Sequence, residues 1–160
     1  MKKEQNEKTN VVRVLEAAGI SFRTYFCENA EGLSGTEVAR AQGQDEEQTF
    51  KTLVTVGKSK MNYVFVIPVS SELDLKKAAG AVGEKNIEMI KAKELLPLTG
   101  YVHGGCSPIG MKKQLKTVLN ETAMLFDTIL FSAGKIGYQV ELAPADLQKM
   151  IPFTYRDLCV

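Results

Sequence analysis

Thr49-Phe50-Lys51-Thr52-Leu53-Val54-Thr55-Val56, then Gly57-Lys58-Ser59-Lys60, then Asn62-Tyr63-Val64-Phe65-Val66-Ile67-Pro68-Val69, is the stretch that decides the fold. Two runs rich in β-branched and aromatic residues flank a short polar turn that contains a glycine. This pattern predicts an antiparallel hairpin. Alternation puts Phe50, Thr52, Val54 and Val56 on one face of the first strand and Thr49, Lys51, Leu53 and Thr55 on the other. The first face is apolar and reads as core. Lys51 interrupts the second, and that face reads as open to a cleft.

Outward from the hairpin the elements are short. Thr9 or Asn10 caps a helix that carries Val11, Val12, Val14, Leu15 and Ala18 and stops at Gly19. Residues 20–27 alternate as a strand. Ser34-Gly35-Thr36-Glu37 is a capping box opening a helix that ends near Gly43. Asp74 caps a helix over 75–81. A short strand is expected at 86–90 and a short helix at 92–96, ended by Pro97. Strands follow at 114–119, 126–132 and 138–142, with a turn or short helix at 120–124 between the first two. Pro144 opens a last helix through Met150. Strands outnumber long helices and two hairpins read as antiparallel. The expectation is one α+β domain over 9–160 behind a disordered leader at 1–8.

Composition narrows the function classes. A chain of 160 residues with 44% hydrophobic and 24% charged residues has the make-up of a soluble globular domain. The net charge of +1 does not announce a nucleic-acid binder. The lysine clusters (Lys76, Lys77, Lys85, Lys91 and Lys93; Lys112, Lys113 and Lys116) read as solvated faces. No apolar run reaches the ~20 residues of a membrane helix, and 1–10 lacks the apolar core of a signal peptide. Cytoplasm is the expected location. Cys27, Cys106 and Cys159 are odd in number and widely spaced, which fits neither a disulfide framework nor a zinc site.

Chemistry concentrates in two places. The first is Lys51. A lysine on a half-open strand face can donate hydrogen bonds and neutralise a phosphate or a developing oxyanion. An edge-strand or snorkelling lysine would look the same in sequence. The second is Gly100-Tyr101-Val102-His103-Gly104-Gly105-Cys106-Ser107-Pro108-Ile109-Gly110, with four glycines in eleven residues. Gly104 and Gly105 can bring backbone amides to an anion, Ser107 can add a hydroxyl, and Pro108 stiffens the loop. The alternative is a long structural turn. The spacing matches neither a phosphate-binding P-loop nor a dinucleotide fingerprint. His103 is the single histidine, and no carboxylate nearby orients it, so it reads as a solvent-facing bystander. Cys27 and Cys106 read as small packing residues. On this reading Lys51 and the glycine loop line one pocket.

These residues resemble a known family. Phe50-Lys51-Thr52-Leu53, then Gly100-Tyr101 with Gly104-Gly105-Cys106-Ser107-Pro108-Ile109-Gly110, is similar to the YbaK/EbsC aminoacyl-tRNA deacylases. The similarity continues through Leu73-Asp74-Leu75-Lys76-Lys77, Ser132-Ala133-Gly134-Lys135, Val140-Glu141-Leu142 and Asp146-Leu147. It runs in order from Thr9 to Asp157 and is nearest the free-standing Cys-tRNA(Pro) deacylases. The resemblance implies a single compact domain with a mixed, mostly antiparallel, barrel-like sheet flanked by short helices. It implies a mischarged tRNA as substrate, held by its 3′ aminoacyl end, with prolyl-tRNA synthetase as a possible partner and no cofactor or metal.

Carried over residue by residue, Lys51 engages the tRNA terminus, and Gly104, Gly105 and Ser107 hold the reacting end. Cys27, Tyr101, Cys106, Pro108, Gly134 and Gln139 fall around the substrate. In the cysteine-specific branch the substrate's own thiol attacks its ester, so the enzyme supplies positioning and oxyanion stabilisation. Two positions depart from the family pattern. Gln139 stands where an aspartate is frequent, and Cys27 where cysteine-specific members carry a tyrosine. Both bear on amino-acid specificity. A deacylase for Ala-tRNA(Pro) or another small amino acid, and a non-catalytic module that binds aminoacyl-adenosine, stay open.

Overall fold

The structure, a computed structural model, describes residues 8–160. Of the expected leader, residues 1–7 lie outside the described residues, and Lys8 makes an ion pair with Glu16 at 3.2 Å. The chain runs α1 (Asn10–Ala17), β1 (Arg23–Phe26), α2 (Gly35–Ala41), β2 (Phe50–Gly57), β3 (Asn62–Pro68), α3 (Leu75–Val82), β4 (Ile87–Met89), α4 (Ala92–Thr99), β5 (Lys116–Asn120), a 3₁₀ turn (Glu121–Leu125), β6 (Ile129–Ser132), β7 (Tyr138–Leu142), α5 (Pro144–Met150) and β8 (Thr154–Arg156). No described helix is long and apolar enough to cross a membrane.

The hairpin is the centre of the molecule. β2 pairs antiparallel with β3 in the register Phe50↔Pro68 to Val56↔Asn62. β3 then pairs parallel with β5, and β5 parallel with β8, giving a five-stranded sheet in the order β4-β2-β3-β5-β8. A second, antiparallel sheet has the order β1-β7-β6. The two meet where Thr49 bridges Leu130 in parallel. The α+β architecture holds, but the sheets are not closed into a barrel: their outer strands are β1 on one side and β8 on the other.

Alternation fixes which residues meet which core. Phe50, Val54, Val64, Val66, Ile129, Phe131, Val140 and Leu142 face the larger cluster, with Val11, Val12 and Leu15 of α1. Tyr63, Phe65 and Ile67 face a smaller cluster under α3, with Ala78, Ala79 and Leu158, and Leu53 packs against it. The Lys51 face of β2 is therefore covered along much of its length, not open as expected. Thr55 is fully buried there and donates to the Tyr63 carbonyl.

The caps follow the sequence. The Thr9 hydroxyl accepts from the Val12 amide. Ser34 and Glu37 close a reciprocal box, and Asp74 accepts from Lys76 and Lys77. Two elements differ from expectation. Pro97 does not end its helix, which continues to Thr99. The amide that proline lacks would have served a carbonyl in the exposed first turn. In the last turn the Thr99 hydroxyl takes the Leu95 carbonyl and the Gly100 amide takes that of Leu96. The last strand, β8, went unread because its three residues lie in a short tail after α5 and pair in parallel with β5.

Candidate active site at a split in the sheet

β2 is flanked unevenly. On its edge away from β3 it meets β6 at the Thr49–Leu130 bridge and β4 from the Ile90 N–H to Val54 C=O bond onward. Among the described residues, no strand pairing fills that edge between these two points. The split lies beside Lys51 and Thr52.

Lys51 is half-buried. Its Nζ lies 3.5 Å from the Val69 carbonyl, which also accepts from the Thr36 hydroxyl at 3.1 Å. Burial pulls the ammonium below the 10.5 of a free lysine side chain, and the charges of Glu72 and Cys159 oppose the shift. Thr52 points to the other face. Its hydroxyl is buried and has no hydrogen-bond partner. Buried polar groups are nearly always paired, so an orphan beside a split in a sheet calls for an explanation.

The Lys51 face continues onto the second sheet. The Thr49↔Leu130, Ser132↔Gln139 and Tyr25↔Gln139 pairs put Lys51, Ser132, Gln139 and Tyr25 on one side. α2 spans this side. The Thr36 hydroxyl near its start reaches Val69, and just past its end Gln42 and Gln44 donate to the Gln139 side-chain carbonyl at 2.5 and 2.7 Å. Gln139 in turn donates to Gln44 at 3.1 Å, so this buried position is a closed ring of neutral amides. Ser132, which did not stand out as a site residue in the sequence, accepts from the Gly134 amide at 3.0 Å and opens the β6–β7 turn. It and Thr52 are candidates that sequence reading did not single out: serine and threonine are ordinary in strands, and only the pairing pattern sets these two apart.

The glycine loop lies on the opposite face. Tyr101, Cys106 and Ile109 sit in the larger cluster. The Tyr101 hydroxyl donates to the Ile109 carbonyl at 2.5 Å and ties the loop across its width. Burial pushes both the Tyr101 phenol and the Cys106 thiol up to about 12, so Cys106 stays a thiol at neutral pH. Ser107 is fully buried and its hydroxyl accepts from the Ile109 amide; Pro108 is buried beside it. The Gly105 amide already donates to the Val102 carbonyl. Gly104 is exposed, with φ +87, and His103 is exposed next to it.

The expected single pocket thus takes another form. Lys51 and the loop lie on opposite faces, and neither of the two clefts described is lined by Lys51 or by 104–107. The loop packs against the β6–β7 turn. A Cβ on Gly105 would come within 3.1 Å of the Ile136 amide nitrogen and 3.2 Å of the Lys135 carbonyl carbon. Gly134, at φ +100, lies close to the Tyr101 ring. Cys27 is buried, and its amide donates to the Gly137 carbonyl at the same turn. Gln139 lines a cleft of about 510 Å³ with Tyr25, Phe26, Tyr138 and Glu16. Among the described residues no group of three or more His, Cys, Asp or Glu is placed to hold a metal ion.

This site is found in a chain whose residues 30–150 match the profile of the aminoacyl-tRNA editing domain. The chain belongs to that family. It is 48% identical over 144 residues to EbsC of Enterococcus faecalis, named as a Cys-tRNA(Pro)/Cys-tRNA(Cys) deacylase, covering 89% of this chain and 88% of that protein. Two solved structures share its fold. One, described as a trans-editing enzyme for prolyl-tRNA synthetase, is 24% identical with a TM-score of 0.81 and covers 96% of this chain and 99% of its own. The other, APE2540, is 22% identical with a TM-score of 0.84 and covers 96% and 100%. Lys51, half-buried, and Thr52, with its buried hydroxyl, lie beside the split at the β2 edge.

Proposed function

We propose that this protein is a trans-editing deacylase that clears Cys-tRNA(Pro). The observation that carries this reading is the split beside β2, with a half-buried ammonium on one face and a partnerless buried hydroxyl on the other. Membership of the editing family and the likeness to EbsC support the substrate class. Lys51 holds the tRNA terminus and stabilises negative charge on its oxygens. Thr52 and Ser132 supply hydroxyls to the aminoacyl-adenosine. Gly104 and Gly105, backed by buried Ser107, keep the β6–β7 turn in place against Gly134.

No protein nucleophile is required. The Cys106 thiol is held protonated, and His103 stands on an exposed loop. The cysteine of the substrate supplies its own. Its sulfur bonds to the ester carbonyl carbon, the bond from that carbon to the ribose oxygen breaks, and the thiol proton ends on the ribose hydroxyl. The amino acid leaves as a cyclic thiolactone. The chain contributes orientation and charge stabilisation, which together supply large rate factors.

Gln139 favours a second reading within the same chemistry. Its neutral amide ring offers the substrate's α-ammonium less than a carboxylate would, which leaves Ala-tRNA(Pro) or another small aminoacyl ester as substrate. A panel of Cys-, Ala-, Ser- and Pro-tRNA(Pro) tests both. The proposal expects release from Cys-tRNA(Pro) well above the rest. Preference for Ala-tRNA(Pro) selects the second reading, and saturable tRNA binding with no release from any member rejects catalysis. Handover from prolyl-tRNA synthetase fits an editing domain of this size acting in trans and is tested by whether the synthetase accelerates clearance.

A further inference from the structure

The lysines that read as scattered solvated faces in sequence are sorted by the fold. One end of the five-stranded sheet, where β2 ends and β3 and β5 begin, carries Lys58 and Lys60 of the hairpin turn, Lys85 just before β4, and Lys112, Lys113 and Lys116 leading into β5. All six are exposed. Strand register brings them together: Lys116 is level with Tyr63 at the start of β3, and the Lys58 amide donates to the Asn86 carbonyl beside Lys85. Lys112 lies back over Gly100, at the mouth of the glycine loop.

The opposite end of the sheet is acidic, with Asp45, Glu46 and Glu47 before β2, Glu72 after β3, Glu121 after β5 and Asp157 after β8. A net charge of +1 therefore conceals a segregated molecule. Ion pairs join Lys8 to Glu16, Arg40 to Glu46, Lys77 to Asp157 and Lys149 to Asp146. None of these four pairs involves the six lysines. Glu84, next to Lys85, accepts from the Ser59 amide and hydroxyl and from the Tyr63 hydroxyl.

We infer that this lysine face is a docking track for the phosphate backbone of RNA, running from the glycine loop to the tip of the β2–β3 hairpin. From Lys51 to Gly57 the strand spans about 20 Å, six residues at roughly 3.4 Å each, so the track is a separate contact from the reacting end. Lysine is suited to it: flexible point charges neutralise phosphates without reading sequence. The inference rests on the deacylase reading for the identity of the RNA: the acceptor arm lies on the lysines while its 3′ end enters the split. Near-neutral net charge is then no obstacle, because binding is governed by the local face.

The test uses the full chain, uncharged tRNA(Pro) as binding probe, and two substrates, Cys-tRNA(Pro) and 3′-O-cysteinyl-adenosine, which has no phosphates. Alanine at Lys58, Lys60, Lys113 and Lys116 together is compared with alanine at Lys76 and Lys149. The expected result is a loss of tRNA(Pro) affinity of roughly tenfold or more near 0.1 M salt. The slope of log affinity against log salt falls by about 2 to 4. KM for Cys-tRNA(Pro) rises with kcat little changed, and turnover of cysteinyl-adenosine is unchanged. The control pair moves none of these. Equal affinity in wild type and the fourfold variant, an equal loss in the control, or no binding of tRNA(Pro) by wild type overturns the inference. Failure of wild type to turn over either substrate, with the salt-dependent binding difference intact, overturns the deacylase reading alone.

Discussion

Lys51 holds an ammonium half-buried against the Val69 carbonyl, and a charge so placed costs stability. Its pKa lies below 10.5. The native state therefore sheds this proton first as pH rises, and the stability lost to burying the charge is regained between the lowered value and 10.5. Lys51→Met should leave the thermal midpoint at pH 7 unchanged or raised, while deacylation falls by at least about 100-fold; thermal melts and single-turnover assays read the two separately. If protonated Lys51 is the active form, wild-type deacylation also declines on the alkaline side before pH 10.5. Thr52→Val makes the complementary case. Valine keeps the shape and removes a hydroxyl that has no partner, so stability is unchanged or improved while turnover drops. Lys51 was legible in the sequence because a charge inside an apolar run is rare. Thr52 was not, because threonine is an ordinary strand residue and only the missing partner marks it.

The glycine loop and the β6–β7 turn act as one element. Gly105 is buried flat against Lys135 and Ile136, where an added methyl would sit 3.1–3.3 Å from backbone that can yield only by moving the turn. Gly105→Ala should displace Ser132 and Gly134 and reduce deacylation about tenfold or more, with a loss of about 1–3 kcal/mol in denaturant titrations. Cys106 within the loop is a packing residue with its thiol pushed up to about 12. Native protein should resist alkylation there at pH 7.5, by mass-mapped labelling, and Cys106→Ala should retain deacylation. The loop's glycines were plain in the sequence. Its inward packing was not, since nothing local shows that Tyr101 reaches Ile109 or that Ser107 faces the core. The same limit hid the helix through Pro97, whose carbonyls are satisfied by Thr99 and Gly100.

At the scale of the molecule, the candidate site lies where the Thr49–Leu130 bridge joins two sheets. The hairpin, the caps and most strands could be read from periodicity, because those signals are local. The Thr49–Leu130 bridge, the parallel pairing of β5 with β8 and the consequent split beside Lys51 depend on segments far apart in the chain, and no local pattern encodes them. Charge segregation is likewise a property of the fold: lysines from three separate segments become one face only when β3 and β5 align. In the proposed reaction this scaffold positions an ester whose own side chain does the chemistry. Single-turnover release of tRNA from Cys-tRNA(Pro) and from Ser-tRNA(Pro), identical but for sulfur against oxygen, is the decisive measurement. Substrate-assisted cleavage predicts rapid release from the cysteinyl ester, dependent on Lys51, and release from the seryl ester slower by about 100-fold or more. Equal rates for the two esters would contradict it.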